Sequence, residues 1–573
     1  MIDSMVKNVL QGGTIRDILE AITKKYGNKT ALRIKNEDGS FREISFIKLG
    51  RRVVSISSVL INLDVKRGDR VAILSENRPE WAAAYFGIIS SAAVILPIDV
   101  KLSDPEIQFI LSDSQAKCIF VSEKYLPAID RLRNVLPDLK NIILLDKSPR
   151  HDIIQLNKLR PHRGKERDRY IYPEDTAIIV YTSGTTGVAK GVEISYKNLL
   201  FQVREFSQII RCTPKEKLLS LLPLNHMLEI TGGLIAPLYA GSCVTYCDTL
   251  KTNLLLPLMK EVGTTAIICV PLVLKLIHTN IMKKVSKLSP ARQRAFAALL
   301  ALSKSLLKLN IRAGRSMFGP IHKEFGGKLR IFISGGAPLD KDIEIDLSAM
   351  GFRVLQGYGL TETGPVISVN TFTANRPGSV GKPLPGVEVK ILKEKNGDTE
   401  GEILTRGPHV MKGYFRNPEK TAEVIMGGWF YTGDLGYLDR DGFLYITGRK
   451  KNMIVLGGGK KVFPEEVEEV IGRSPYIQEI CVFARKADRG MRKGHEEVYA
   501  IIVPNMELFG QNNITEKEKI SEKIASEISG LSKSLSAHKR IMNFNLYYDD
   551  LPKTVTKKIL RNAVARIADS LSI

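Results

Sequence analysis

Along the first 150 residues, short apolar runs alternate with longer stretches of helical spacing. Val71–Leu74 follows the turn Gly68-Asp69 and reads as a strand. Arg78–Ser91 reads as a helix, with Pro79 placed where a missing N–H costs little. Ala93–Pro97 is a second strand, Pro105–Leu111 is helical, and Cys118–Val121 and Ile142–Leu145 are strands again. This β-α-β-α order predicts a largely parallel sheet covered by helices on both faces. The pattern continues through Thr176–Tyr181, Ala266–Val270 and Leu329–Ile333.

Between Val387 and Leu404 the pattern shifts to short strands and turns, including Asn396-Gly397-Asp398, which predicts a smaller β-rich subdomain. After Gly448-Arg449-Lys450-Lys451 it changes again. Strands at Ile480–Ala484 and Val498–Val503 and a polar helix near Glu516–Lys533 predict a compact α+β unit. The predicted fold class is therefore α/β. Residues 1–449 form a large N-terminal domain of layered, mostly parallel sheets with helices plus the β-rich subdomain, and residues 450–573 form a small C-terminal domain.

Composition narrows this picture. A chain of 573 residues exceeds one ordinary domain. The net charge of +23 points to anionic partners without choosing among nucleic acid, phosphorylated cofactors and an acidic membrane surface. No zinc spacing, RNP pattern or basic-zipper arrangement supports nucleic acid, so none is expected as a partner. The sparse cysteines, several in apolar runs, fit a reducing cytoplasm; Cys243 and Cys247 lack zinc-like partners and read as core. The N-terminus has no apolar h-region, and no stretch is long enough to span a bilayer. The expected location is cytoplasmic, either soluble or peripheral on the inner face of the membrane.

The strongest local signal is Tyr181-Thr-Ser-Gly-Thr-Thr-Gly-Val-Ala-Lys190-Gly191, directly after the strand-like Ala177–Val180. Gly184, Gly187 and Gly191 let the backbone approach a ligand; Thr182, Ser183, Thr185 and Thr186 supply hydroxyls; Lys190 adds a point charge. Together they suit a polyphosphate. This is not a Walker A loop, because two residues separate Gly187 from Lys190. No GxGxxG opens the first helix either.

This segment resembles the signature of the adenylate-forming superfamily, which includes acyl-CoA synthetases, luciferases and peptide-synthetase adenylation domains. Further segments follow in the family's order. Ser334-Gly-Gly-Ala-Pro338 resembles its adenine-side loop, and Gln356-Gly-Tyr-Gly-Leu-Thr-Glu-Thr363 its adenine and α-phosphate motif. Trp429-Phe-Tyr-Thr-Gly-Asp434 resembles its ribose segment, Gly448-Arg449-Lys450-Lys451 its hinge, and Pro552-Lys-Thr-Val-Thr-Lys-Lys558 its C-terminal catalytic-lysine motif.

The resemblance implies a site and a mobile C-terminal domain that turns about Lys451 between two half-reactions. ATP would lie against Thr182, Ser183, Gly184, Thr185, Thr186, Gly187 and Lys190. Its adenine would meet Gly335, Gly336, Ala337, Gln356, Gly357, Tyr358 and Gly359. Thr361 would donate to the α-phosphate, and Glu362 with Thr182 would hold Mg2+. Asp434 would accept from the ribose hydroxyls, with Arg449 on ribose or phosphate. Lys558 would neutralise charge near the attacking carboxylate. In this sequence Lys557 stands where the family has Gly, which leaves Lys557 and Lys558 as alternatives, and Lys461 stands where Asn is common.

Leu222-Pro-Leu-Asn-His226-Met-Leu-Glu229 resembles the long-chain acyl-CoA synthetase subgroup, which implies His226 near the substrate carboxylate. The implied reaction joins a fatty acid to coenzyme A with ATP; an acyl carrier protein is the alternative acceptor. Intact Lys190, Glu362, Asp434 and Lys558 argue against a silent scaffold. From Met282 to Lys323 there is no Asp or Glu. Phe296, Leu299, Leu300, Leu307 and Ile311 share one helical face there, with Lys304, Lys308 and Arg312 on another. A basic helix near 291–316 suits either an anionic membrane surface or packing on the body with a solvated edge. Oligomeric state is not legible.

Overall fold

The computed structural model describes residues 14–160, 169–182, 189–210, 212–247, 252–395, 397–456, 460–486, 496–553 and 559–571. The fold is α/β, with several mixed, mostly parallel sheets and helices. The chain divides into two compact units, Met1–Glu388 with Thr405–Phe430, and Val389–Leu404 with Tyr431–Ile573.

The first unit holds two large sheets. One has eight strands, and its parallel part runs Thr176–Thr182, Val94–Ile98, Arg70–Leu74, Cys118–Val121, Asn141–Leu144 and Ile154–Gln155. Arg70 pairs with Val94 and Leu74 with Ile98, in unbroken parallel register. These runs are nearly all apolar because both faces of the sheet are buried. The helix Pro79–Ser90 is buried along its whole length, with Pro79 in its first turn. The second sheet has nine strands. Its parallel part includes Lys217–Ser220, Ala266–Cys269, Ile331–Ser334 and Arg353–Tyr358. One hydrophobic core draws on strands of both sheets, from Val71 and Ile95 to Leu32 and Val244.

In the second unit, Ile477–Lys486 pairs antiparallel with Glu496–Pro504, and Asn543–Leu546 adds parallel to the latter. Alternation serves two cores. Ile480 and Val482 pack with Val467, Ile520 and Ile524, while Cys481 and Phe483 pack with Val564 and Ala568. The polar helix is Lys517–Leu531. The partition also departs from a division at residue 449. Residues 389–404 and 431–449 count with the C-terminal residues, the division falling within the strand Trp429–Leu438 that pairs with Leu444–Arg449. Asn396 lies outside the described residues.

The basic segment folds differently from a single amphipathic helix over 291–316. The helix is Pro290–Lys308, and Asn310 takes a left-handed φ of 60°, so Ile311 and Arg312 lie beyond it. Leu300 and Ser303 are its buried positions, while Leu299 is exposed. Lys304 is ion-paired with Asp346 at 2.5 Å. Among the described residues no helix is long and apolar enough to cross a membrane, and all six cysteines are buried and free.

Candidate functional site

Two paired strands flank the Gly/Thr-rich segment. Thr176–Thr182 pairs antiparallel with Lys190–Ser195, with Thr182 opposite Lys190 and Tyr181 opposite Gly191. The described ends of the segment are thus held side by side. Ser183, Gly184, Thr185, Thr186 and Gly187 lie outside the described residues. Gly191 permits close packing: a Cβ there would lie 2.9 Å from Ile179 Cγ2 and 3.2 Å from Phe415 Cβ.

A short strand, Gly413–Tyr414, adds to the outer edge of this strand pair, with Tyr414 opposite Val192. It was not singled out in the sequence, yet it joins two of the motifs. Lys190 Nζ stands 5.2 Å from the centre of the Tyr414 ring. The Tyr414 hydroxyl donates to Glu362 Oε1 at 3.1 Å. Burial, together with the Glu362 charge, pushes the Tyr414 pKa up, so the phenol keeps its proton and donates. The backbone closes the same junction, since Met411 N–H donates to Glu362 O at 2.8 Å. Gln202, on the helix Tyr196–Ile210, donates to Thr363 O and Val366 O at 2.9 and 2.7 Å. These partners hold the Thr361–Glu362 turn from two sides.

The same turn ends the strand Arg353–Tyr358, which carries Gln356, Gly357 and Tyr358. Its parallel neighbour Ile331–Ser334 leads into Gly335, Gly336 and Ala337, with Ser334 opposite Gln356. Both segments therefore emerge at the carboxyl ends of adjacent parallel strands, where open α/β sheets bind ligands. Ser334 Oγ and Gln356 Oε1 are buried without hydrogen-bond partners among the described residues. Gly359 has no room for a side chain, because a Cβ would sit 1.9 Å from Pro365 O.

His226 and Glu229 belong to a segment that touches both sheets. Asn77, just after the strand Arg70–Leu74, donates to Leu222 O at 2.6 Å and accepts from Leu224 N–H at 2.8 Å. Asn225 donates to Asp99, just after Val94–Ile98, at 3.3 Å. A Cβ on Gly335 would meet Leu228 Cδ2 at 3.3 Å, which places this segment beside Gly335–Ala337. His226 Nε2 is buried without a partner. Burial lowers the His226 pKa, Asp99 opposes that, and Lys101 adds to it, so the imidazole is neutral. Glu229 opens a π-helix, Glu229–Ile235. Both its carboxylate oxygens are buried and unpartnered, and burial pushes its pKa up to about 8.

In the C-terminal unit, Asp434 and Arg449 are cross-strand partners, and Arg449 Nε lies 2.6 Å from Asp434 Oδ1. Lys450 pairs with Glu402 at 2.8 Å, and Lys451 follows on the short 3-10 turn Lys450–Asn452. Lys461, the departure from the family pattern, is ion-paired with Glu394. Lys558 and Lys557 lie outside the described residues. The backbone on either side of them is pinned. Lys553 bridges to Ile559 and pairs with Glu479, and Leu560 N–H donates to Pro552 O at 2.8 Å. Arg561 reaches Glu468 and Val482 O; burial opposes its charge, but the Glu468 carboxylate outweighs that and holds it protonated.

Mg2+ suits the N-terminal residues present. It takes one or two carboxylates and shares phosphate oxygens and water. Glu362 offers one such carboxylate and Thr182 a hydroxyl; among the described residues no group of three His, Cys, Asp or Glu forms an all-protein cage.

Comparison with known proteins shows the family of the chain. The pattern defining AMP-binding enzymes matches residues 19–415, and that of the AMP-binding enzyme C-terminal domain matches residues 451–568. The long-chain-fatty-acid–CoA ligase FadD15 of Mycobacterium bovis is 31% identical over 465 residues, covering 78% of this chain and 76% of that protein. The chloroplastic long-chain-fatty-acid–[acyl-carrier-protein] ligase AEE15 of Arabidopsis thaliana is 28% identical, covering 86% and 76%. Among solved structures, the anthranilate CoA ligase AuaEII with anthranoyl-AMP superimposes with a TM-score of 0.77 at 24% identity, over 98% of each chain.

Proposed function

The chain belongs to the AMP-binding enzyme family, and from that premise we propose that it activates a medium- to long-chain fatty acid and passes the acyl group to coenzyme A. At family level it is an adenylate-forming acyl or aryl CoA ligase that uses ATP. The fatty acid is supported by the name of the FadD15 relative and by the buried, apolar Ile230–Ala240 run that follows His226.

One observation carries the mechanism: Lys190, Tyr414 and Glu362 form a connected line beside the end of the Thr176–Thr182 strand. In the first half-reaction a substrate carboxylate oxygen bonds to the α-phosphorus, and the bond to pyrophosphate breaks. The substrate brings its own nucleophile, so the protein's task is alignment and charge neutralisation. Lys190 would neutralise the outer phosphates, and the Thr361 hydroxyl would donate to the α-phosphate. Glu362, oriented by Tyr414, and Thr182 would hold Mg2+, which supplies Lewis-acid neutralisation of the phosphate oxygens. Neutral His226 offers its unpartnered Nε2 to the acid without forming a tight ion pair. Arg449 fixes the Asp434 carboxylate for the ribose diol. Lys558 completes the neutralisation at the attacking carboxylate, and rotation about Lys451 exchanges this arrangement for one that admits the thiol.

The testing experiment is pyrophosphate release against a panel of fatty, aryl and short acids, with coenzyme A or a phosphopantetheinylated carrier protein as acceptor. Turnover with fatty acids and coenzyme A is the expected result. Turnover with aryl or short acids alone overturns the fatty-acid assignment. Thioester formation on the carrier protein alone selects the second reading, which the AEE15 relative favours.

A further inference from the structure

The helix Pro290–Lys308 in the N-terminal unit has two faces that differ in kind. At about 100° per residue, Gln293, Phe296, Leu300, Ser303 and Leu307 point one way, and all are buried or half-buried. Phe296 meets Phe318 edge-on at 5.5 Å, and Ser303 donates to Ala349 O at 2.6 Å. The opposite face carries Ala291, Ala295, Ala298, Leu302, Ser305 and Leu309, all exposed. Leu302 is 52% exposed, Leu309 70% and the following Ile311 50%. A helix serving only to cap the body is polar on its outer face; here the outer face is apolar.

Cations flank this stripe. Arg292 stands on one side, Arg294 and Lys308 on the other, each exposed. Lys287 lies just before the helix, and the sequence holds no Asp or Glu from Met282 to Lys323. We propose that this outer face is a docking surface for an anionic lipid bilayer, the leucines entering the acyl boundary and Arg292, Arg294 and Lys308 meeting the phosphates. Charge decides against a second copy of the chain. A two-fold pairing of this stripe brings the cations Arg292, Arg294 and Lys308 of one copy towards those of the other, with no acidic residue on the segment to separate them. The inference stands apart from the ligase reading, since none of these residues belongs to the site described above.

The test uses the full chain and co-sedimentation with vesicles of phosphatidylcholine alone or mixed with phosphatidylglycerol, at low and high salt. Sedimentation only with the anionic vesicles, weakened by salt, is expected. Both Leu302→Asp and the double change Arg294→Glu, Lys308→Glu alter exposed positions, so thermal unfolding is unchanged. Each is expected to lower vesicle partitioning by about tenfold or more. Failure of the unaltered chain to sediment with anionic vesicles at low salt overturns the proposal. So does equal sedimentation of the variants, or a concentration-dependent dimer that Leu302→Asp abolishes while vesicle binding is absent.

Discussion

Tyr414 donates its hydroxyl proton to Glu362 Oε1 across 3.1 Å, joining two residues 52 positions apart. The phenol sits between the Lys190 ammonium and the Glu362 carboxylate, touching the first through its ring and the second through its oxygen. This contact yields a graded prediction. Glu362→Gln is expected to lower ATP–pyrophosphate exchange by about 10²–10³ at ordinary Mg2+, because the carboxylate proposed to hold the metal is lost. Tyr414→Phe removes one hydrogen bond and is expected to cost about tenfold. Exchange measured across a Mg2+ titration checks both; equal losses in the two variants contradict the positioning role given to Tyr414.

Lys558→Ala is expected to cut adenylate formation by about 10²–10³ while the far-ultraviolet spectrum is unchanged. Lys557→Ala is the comparison, since both lysines follow the pinned Lys553. A larger loss from Lys557→Ala transfers the role to that residue. Single-turnover formation of acyl-adenylate is the measurement.

Lys451→Pro is expected to keep pyrophosphate exchange and to lose thioester formation, because proline fixes φ at the position proposed to turn. Exchange and thioester assays run on one preparation separate the half-reactions. Equal loss of both removes Lys451 from the hinge.

Glu229 gives a pH dependence of stability. Its folded pKa of about 8 lies above the ordinary carboxylate value because of burial. The folded chain therefore holds a proton that the unfolded chain has released, and stability falls as pH rises from about 4.5 towards 8. Glu229→Gln removes this titration. The variant is expected to gain stability relative to the parent between pH 5 and pH 8, by about 1–3 kcal/mol. Urea unfolding at the two values checks it, and a difference that does not grow with pH contradicts the assignment.

What the sequence revealed followed from how far each signal reaches along the chain. Cys118–Val121 was read with its observed ends because a strand buried on both faces is an unbroken apolar run. Ile477–Lys486 was read short, since Gln478 and Glu479 near one end and Arg485 and Lys486 at the other are polar and not buried, and such residues do not mark a strand. The face containing Ile311 was misjudged because a single left-handed residue, Asn310, ends the helical period, and periodicity alone does not register one dihedral angle. The glycine- and threonine-rich motifs were legible because their chemistry is packed into a few consecutive positions. Tyr414 was not, since its importance comes from sheet pairing with Lys190–Ser195 and from Glu362, both remote in sequence. The assignment of 431–449 to the C-terminal unit was likewise hidden, because tertiary contacts decide it and composition does not change there.

With Pro365 O only 1.9 Å from where its first side-chain carbon would lie, Gly359 works as a natural off position. Even alanine there must shove the turn bearing Thr361 and Glu362, yet it adds no charge and removes no ligand. Libraries that diversify this enzyme for new acids should leave that codon alone, and its alanine form is expected to serve as an inactive control whose surface matches the parent.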